Sequence, residues 1–333
     1  MDRFRAFRIH DDQGHAGVER ICVDDLSDGD VVIEARYSSV NYKDALAATE
    51  RGKIARRFPI TGGIDVAGVV LESSSGRLRP GDEVICTGCG LSEAIDGGYS
   101  EICRLPADIL VPLPAGLSLF EAMALGTAGF TAALALYRMQ QNGQRADAGP
   151  IAVTGATGGV GSIAVNLFAG LGFEVVAITG KTEHAAWLTS LGALDIIDRN
   201  TLTTGTAPLE KMRWAGAADG VGGDMLSWLV RSTRPLGNVA SYGMAGSTEL
   251  STSVFPFILR GVSLLGITSA NCPMPLRIEL WEKLAGEWKP DRLDAIVRHT
   301  VTLERLPDVF EQMLAGNALG RTVVDLGGQA SAA

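Results

Sequence analysis

The sequence predicts an α/β protein in which a β-rich N-terminal part precedes a doubly wound parallel sheet of six strands. Three observations predict it. Ile151-Ala-Val-Thr-Gly155-Ala-Thr-Gly158-Gly159-Val160-Gly161-Ser162 is an apolar strand running into four glycines within seven residues, and apolar helical sequence, Ile163–Leu171, follows. Strand-like and helix-like stretches then alternate up to Ile267. Before Ser118, short β-branched runs bounded by turn residues dominate.

Taken in order, Val31–Tyr37, Val66–Leu71 and Glu83–Cys86 read as strands. Arg79-Pro-Gly-Asp is a tight turn feeding the third of them, and Gly97–Cys103 reads as another turn and strand. At Ser118 the period changes. Leu119, Ala122, Met123, Leu125, Ala132, Ala133 and Leu136 recur at helical spacing, with Ser118 as N-cap and Glu121 at the capping-box position. After the glycine turn, Glu174–Thr179 is the second strand, and a helix over Glu183–Leu191 stops at Gly192. Asp195–Asp198, Ala217–Val221, Asn238–Tyr242 and Val262–Ile267 complete the six strands, with a helix at Asp224–Ser232. The sixth strand is expected at a sheet edge, apolar and unprotected, which suits a homodimer. Helices are expected at Ile278–Gly286 and Leu306–Ala315, and a terminal strand at Gly320–Asp325 that returns to the N-terminal part.

Composition narrows the class. At 333 residues the chain holds two ordinary domains, and 46% hydrophobic residues can fill their cores. No run is read as reaching the roughly 18 apolar residues of a membrane span, and Met1-Asp-Arg-Phe-Arg does not start a signal peptide. A cytoplasmic location is expected. A net charge of −9 without a long basic run argues against nucleic acid as a partner. The five cysteines are scattered and read as free thiols. The Gly327–Ala333 tail is expected to be unstructured.

The glycine turn needs residues without a Cβ, because the chain turns tightly and its backbone approaches a pyrophosphate. The helix N-terminus that follows offers free N–H groups to phosphate. A dinucleotide is therefore expected on Thr157, Gly158, Gly159 and Val160. Past the second strand, where an Asp or Glu would bond a ribose 2′-hydroxyl, the sequence reads Thr179-Gly180-Lys181. A hydroxyl and a lysine suit a 2′-phosphate, so NADPH is expected, with Arg199 as a second cation on the adenosine side.

Further motifs carry a resemblance: Ser38-Ser-Val-Asn41-Tyr42-Lys43-Asp44, Gly52-Lys-Ile54, Phe58-Pro, Gly63-Ile-Asp65-Val-Ala-Gly68, Gly126-Thr127-Ala-Gly-Phe-Thr131, Phe255-Pro-Phe-Ile258-Leu-Arg260 and Gly320-Arg321-Thr322. Together with the glycine turn they span almost the whole chain. The sequence resembles a zinc-free medium-chain dehydrogenase/reductase of the quinone oxidoreductase-like kind, and within it most closely the acryloyl-CoA reductases. The resemblance implies a GroES-like catalytic domain at 1–126 completed by 271–333, with a Rossmann NADPH-binding domain at 127–270. Zinc alcohol dehydrogenases share this fold. Where they would place a cysteine and a histidine on zinc, this sequence reads Asn41-Tyr42 and Ile64-Asp65, and Cys86-Thr-Gly-Cys89 lacks a second ligand pair. No metal is expected, and hydride addition to an activated C=C bond needs none.

The resemblance places Tyr42 beside the nicotinamide, as a hydrogen-bonding or proton-donating phenol; a satisfied core tyrosine is the plainer alternative. Asp44 stands either as a catalytic carboxylate or as one that fixes its loop. Thr127 opens a helix and is expected to touch the nicotinamide. Met244, Ile258, Ser269 and Arg321 match positions that line the cofactor; Met244 and Ile258 are apolar, so core packing is their plainer alternative, and Arg321 is expected to bridge to a phosphate or carboxamide. Arg51, Lys53, Arg56 and Arg57 either hold CoA phosphates or form a solvated loop. The implied activity is NADPH-dependent reduction of acryloyl-CoA to propanoyl-CoA. A quinone or enone reductase and a non-catalytic NADPH-binding protein are the rivals. Homodimerisation through Val262–Ile267 is expected.

Overall fold

The computed structural model describes residues 3–49 and 51–327. The chain forms two compact units. Unit 1 comprises Met1–Thr127, Ala270–Ala285 and Val297–Ala333, and unit 2 comprises Ala128–Ser269 and Gly286–Ile296.

Unit 1 begins with β1 (Phe4–Ile9), β2 (Ala16–Ile21), β3 (Val31–Ser39), α1 (Tyr42–Ala47), β4 (Ile60–Thr61), β5 (Asp65–Ser73), β6 (Glu83–Thr87), β7 (Ile102–Leu105) and β8 (Val111–Pro112). Helix α2 (Leu119–Gln141) leads out of it. Unit 2 carries β9 (Ile151–Thr154), α3 (Gly159–Gly170), β10 (Val175–Thr179), α4 (Ala185–Ser190), β11 (Asp195–Asp198), β12 (Trp214–Asp219), α5 (Gly223–Ser232), β13 (Thr233–Ser241), α6 (Phe255–Arg260) and β14 (Ser263–Gly266). The chain closes with α7 (Met274–Ala285), α8 (Leu293–Ile296), β15 (Val297–Val301), α9 (Leu306–Leu314) and β16 (Arg321–Asp325).

In unit 1, among the described residues, β15-β16-β3-β5-β6-β8 is the path of a seven-stranded sheet whose remaining strand, β7, pairs with β3. Strand β3 serves three partners because register shifts at Val32/Ile33 and Ala35/Tyr37 bend it. The returning strand β16 pairs antiparallel with β3, Val323 opposite Ser39. Phe7, Ile33, Val66, Tyr99, Leu105 and Phe310 share one core, with Phe310 of α9 edge-on to Phe7 at 5.8 Å. The C-terminal segment is thereby locked into the N-terminal domain.

In unit 2 the sheet runs β11-β10-β9-β12-β13-β14, all parallel. The strand order reverses between β9 and β12, the point where doubly wound sheets bind ligands outside their carboxyl ends. The sixth strand, β14, lies at the edge as the sequence predicts. Residues 286–296, which the sequence assigned to the catalytic domain, belong to unit 2 instead. Asn166 of α3 donates to Asp291 at 2.8 Å and accepts from the Arg292 N–H at 3.1 Å. Trp187 Nε1 donates to the Ala295 carbonyl at 3.1 Å.

Several elements escape the sequence pattern for physical reasons. β1 reads Phe-Arg-Ala-Phe-Arg-Ile, and its Arg8 is buried against Asp96 at 2.7 Å, which hides the apolar alternation. Helices α1 and α6 span six residues each, too few to show a period. Helix α2 corrects the expectation about apolar runs: it is long and apolar enough to pass as a membrane span by composition, but 78% of that stretch is buried inside the protein. Ser118 and Glu121 form its capping box, with Ser118 N–H donating to the Glu121 carboxylate at 2.9 Å and Glu121 N–H to Ser118 Oγ at 3.2 Å. Residues 328–333, most of the tail expected to be unstructured, lie outside the described residues.

Candidate active site

In unit 2 the glycine turn has the geometry that its sequence predicts. Gly155 takes φ +57°, and a Cβ on Gly161 would sit 2.3 Å from the Gly155 carbonyl oxygen, so that close pass of helix against turn admits glycine alone. Gly158 is the N-cap of α3, and Gly159 and Val160 form its first turn. Thr154 donates to the buried Asp219 at the end of β12 at 2.6 Å, and Asp219 also accepts from Gly222 N–H at 2.8 Å. Burial raises the Asp219 carboxyl above its ordinary range. That carboxylate ties the carboxyl ends of β9 and β12 together beneath the turn.

The end of β10 is equally ordered. The Thr157 and Thr179 hydroxyls lie 3.3 Å apart, and Thr179 Oγ1 accepts from Lys181 N–H at 3.0 Å. A Cβ on Gly180 would lie 2.9 Å from Arg199 Nη2, so the Arg199 guanidinium covers that glycine. Lys181 is partly buried and its ammonium pKa is lowered, first by desolvation, with Arg199 adding repulsion against the opposing pull of Glu183. Two cations thus flank Gly180, and the Thr157–Thr179 contact joins the end of β10 to the residue just before the N-cap of α3. This donor set fits a dinucleotide with a phosphate on its adenosine ribose. Met244 and Ile258 are 64% and 73% exposed, which rules out core packing for both; Ser269, the last residue of this unit's main segment, is partly buried.

In unit 1 the Asn41–Asp44 motif starts α1, with Asn41 as N-cap. Tyr42 is 48% exposed, so it is not a core tyrosine. Its neighbour Asn41 joins a network centred on Asp65, which is fully buried at the start of β5. Asp65 accepts from Ser39 Oγ at 2.6 Å, Asn41 Nδ2 at 2.8 Å, Thr127 N–H at 2.9 Å and Thr127 Oγ1 at 2.5 Å. Thr127 N–H is available because Gly126 breaks the helical path at φ 51°, ψ −155°. A Cβ on Gly126 would lie within 2.8 Å of Asp65, Ser39 and Arg321 alike.

Arg321 differs from its expected role. It is 2% exposed and donates to Ala124 O at 3.0 Å, Val40 O at 2.9 Å, Asn41 Oδ1 at 3.2 Å and Ser39 Oγ at 2.7 Å, with Asp65 at 3.9 Å. The guanidinium is committed to unit 1 and is not presented to a phosphate. Asp44 is also buried. One of its oxygens accepts from Asn41 N–H and the other from Ile64 N–H, each at 2.8 Å. Its geometry is that of a carboxylate fixing the loop. Burial first, then the charge of Asp65, raises its carboxyl to about 7.

The basic loop divides. Arg56 pairs with Glu93 at 2.6 Å and Arg57 with Asp96 at 2.6 Å, so these two are anchored within unit 1. Lys53 is 90% exposed and 4.0 Å from Asp12. Arg51 borders a cavity of about 460 Å³ lined by Phe7, Ala16, Ala48, Phe310 and Leu314. Sequence reasoning singled out neither Asp65 nor Asp219 as a site residue. The available signal was an acid inside an apolar strand run, Ile64-Asp65-Val66, and an arginine inside another, Gly320-Arg321-Thr-Val-Val.

A GroES-like unit with a metal-free Asn-Tyr motif, joined to a six-stranded nucleotide-binding sheet, defines a class of oxidoreductase. The alcohol dehydrogenase GroES-like domain matches residues 27–115, and the zinc-binding dehydrogenase domain matches residues 159–286. The chain belongs to the medium-chain dehydrogenase/reductase family, in its zinc-free, quinone oxidoreductase-like branch. It is 47% identical, over 93% of its length and 94% of the relative's, to YhfP of Bacillus subtilis, which bears the name of a quinone oxidoreductase. YhfP has also been solved with NAD bound (TM-score 0.94, 44% identity, 98% and 100% covered). The chain is 45% identical to the acrylyl-CoA reductase AcuI of Ruegeria pomeroyi, over 93% and 94% of the two lengths. The yhdH oxidoreductase of Salmonella enterica, in complex with NADP, superposes with a TM-score of 0.92 at 41% identity, covering 97% of this chain and 99% of that one.

The raised Asp44 carboxyl has a consequence for stability. Its folded value of about 7 exceeds the ordinary 3.8, so between these values the folded chain holds a proton that the unfolded chain releases. Its contribution is complete below the unfolded value and is lost as pH rises through about 7. Asp44→Asn is expected to remove that slope and to cost about 1 kcal/mol at low pH, since the amide cannot accept both N–H groups. Urea midpoints measured across this range check it; an unchanged slope in the variant contradicts the assignment.

Proposed function

We propose that the chain is an NADPH-dependent reductase of the C=C bond of an α,β-unsaturated acyl-CoA, converting acryloyl-CoA to propanoyl-CoA. The observation that supports it most is Tyr42. A half-exposed phenol stands at the start of α1, next to Asn41 of the Asp65 network, in a sequence 45% identical to an acrylyl-CoA reductase. Bound NADPH supplies the hydride, delivered to the β-carbon of the thioester. The α3 N-terminus with Thr157, Gly158, Gly159 and Val160 binds the pyrophosphate, and Thr179, Gly180, Lys181 and Arg199 hold the 2′-phosphate. Met244, Ile258 and Ser269 line the remainder of the cofactor. Tyr42 hydrogen-bonds the substrate, where charge grows on the thioester oxygen, and serves as proton donor to the α-carbon. Asn41 and Thr127 orient the carboxamide end. Asp44 and Arg321 act by positioning these groups.

Lys181 and Arg199 set the cofactor choice on this reading. A charge-assisted bond contributes about 1.5–3 kcal/mol, so Lys181→Ala is expected to raise KM for NADPH by roughly 10–100-fold and to leave KM for NADH nearly unchanged. Equal loss for both cofactors would sink the assignment.

Arg51 and Lys53, the two cations of the loop not anchored to Glu93 or Asp96, are the proposed contacts for CoA phosphates. A panel of acryloyl-CoA, crotonyl-CoA, free enones and quinones separates the readings. Turnover of acryloyl-CoA that weakens in the double variant Arg51→Glu, Lys53→Glu, with enone turnover intact, is the expected result. Reduction of quinones and enones without CoA esters favours the second reading, a quinone reductase, which the name of YhfP supports. Tight NADPH binding with no turnover on any of them marks a non-catalytic protein.

We also propose that the chain self-associates as a homodimer along β14. Among the described residues this edge strand pairs with β13 alone; Val254, Phe255 and Leu259 just before it are 62%, 47% and 62% exposed, and Leu236 of the neighbouring β13 is 77% exposed. Sedimentation velocity is expected to show a dimer that Leu265→Lys converts to monomer; a monomeric parent protein at micromolar concentration refutes it.

A further inference from the structure

Cys86-Thr87-Gly88-Cys89 takes no part in the proposed reaction. Cys86 is the penultimate residue of β6 and is 1% exposed, whereas Cys89 is only partly buried. The two thiols lie within one turn of each other, close enough that each shifts the other, Cys86 upward and Cys89 down to about 7. Between them the chain turns sharply: Gly88 takes φ +71°, and Cys89 itself takes φ +51°, a conformation that a residue with a Cβ adopts at a cost. The buried Arg277 guanidinium reaches into this turn, donating to Thr87 O at 2.7 Å and Thr87 Oγ1 at 3.0 Å. Neighbouring thiols, one of them partly accessible and both beside a fixed cation, are the setting in which cysteines react rather than merely pack.

We propose that Cys86 and Cys89 are a redox-active dithiol, with Cys89 the attacking thiol and Cys86 the resolving one, oxidised to an intramolecular disulfide by hydroperoxides. The neighbouring Cys86 thiol lowers the Cys89 thiol below its ordinary range, and Arg277 helps. Cys89 in turn, followed by burial, keeps Cys86 protonated. The Cys89 sulfur attacks the distal peroxide oxygen; the S–O bond forms, the O–O bond breaks, and an alcohol leaves after taking up a proton. The Cys86 sulfur then attacks the Cys89 sulfur. The S–S bond forms, the S–O bond breaks, and water leaves with the Cys86 proton. Two thiols lose two electrons, and one hydroperoxide becomes one alcohol and one water.

The turn is wired to the Asp65 network. Thr87 stands opposite Asp65 in the β5–β6 register. Gly88 N–H donates to Ile64 O at 2.7 Å, and Ile64 N–H donates to Asp44. Closing the disulfide therefore acts on the Ile64–Asp65 segment one residue away.

The test treats the full chain with cumene hydroperoxide, counts thiols with a chromogenic disulfide reagent and maps peptides by mass spectrometry. The expected result is a fall from five free thiols to three, a Cys86–Cys89 link, and full recovery with dithiothreitol. Cys86→Ser is expected to trap a dimedone-reactive sulfenic acid at Cys89, and Cys89→Ser to leave the remaining thiols reduced. Amide exchange at Ile64 and Asp65 is expected to change on oxidation. No loss of thiols, or a link from Cys89 to Cys272, overturns the dithiol, and the parent protein alone decides this should a variant fail to fold. A disulfide with unchanged exchange overturns the coupling to Asp65. None of these readouts depends on which substrate is reduced.

Discussion

The buried carboxylate of Asp65 is the point on which unit 1 depends. Desolvating a carboxylate costs several kcal/mol unless hydrogen bonds and a counter-charge offset it. Here four hydrogen bonds and the Arg321 guanidinium do so. Those partners come from stretches remote in sequence: Ser39 at the end of β3 with Asn41 just beyond it, Thr127 in α2, and Arg321 in β16. Satisfying one acid therefore draws three segments together, and one of its partners, Asn41, adjoins Tyr42. Gly126 is part of the same constraint. Its unusual backbone turns the Thr127 N–H onto Asp65, and any Cβ at that position would fill the space that Asp65, Ser39 and Arg321 occupy.

Unit 2 uses the same device at smaller scale. Asp219 is buried where the strand order reverses, and it collects Thr154 from β9 together with the N–H groups of Val221 and Gly222. The turn above it can then stay open at Gly158, where a Cβ would meet only the Gly155 carbonyl, at 3.2 Å. In both units an acid inside an otherwise apolar strand holds still the backbone that borders the site. Neither acid is placed to touch a reacting atom.

The sheet of unit 2 was legible because period and punctuation agree over much of it: strands such as Ile151–Thr154 and Val175–Thr179 are apolar runs, and α4 gives way to Gly192, with φ +106°. The returning strand was legible from Arg321-Thr-Val-Val-Asp325 alone. Strand β1 was not, because Arg8 breaks its alternation and only the fold supplies Asp96 as partner. The exposed Met244 and Ile258 read as core by composition and as cofactor lining by resemblance, and their exposure excludes the first. Arg321 misled in the opposite direction. An arginine near a site suggests an anion outside, but this one is consumed by carbonyls and a carboxylate within its own unit. A local sequence cannot say which way a long side chain turns.

The placement of charge bears on the proposed chemistry. Around Tyr42 the formal charges cancel: Asp65 is balanced by Arg321, and Asp44, raised to about 7, carries little charge below neutrality. The groups left to meet a substrate carbonyl there are neutral donors, the Tyr42 phenol above all. A hydrogen bond from such a donor strengthens as negative charge appears on the substrate oxygen. On the proposed reading, cations meet the ends of the long ligands instead, Lys181 and Arg199 the dinucleotide and Arg51 and Lys53 a phosphorylated thiol carrier. Affinity on that reading falls to groups remote from the double bond, and the reacting carbons are left to neutral donors held in place by buried carboxyls.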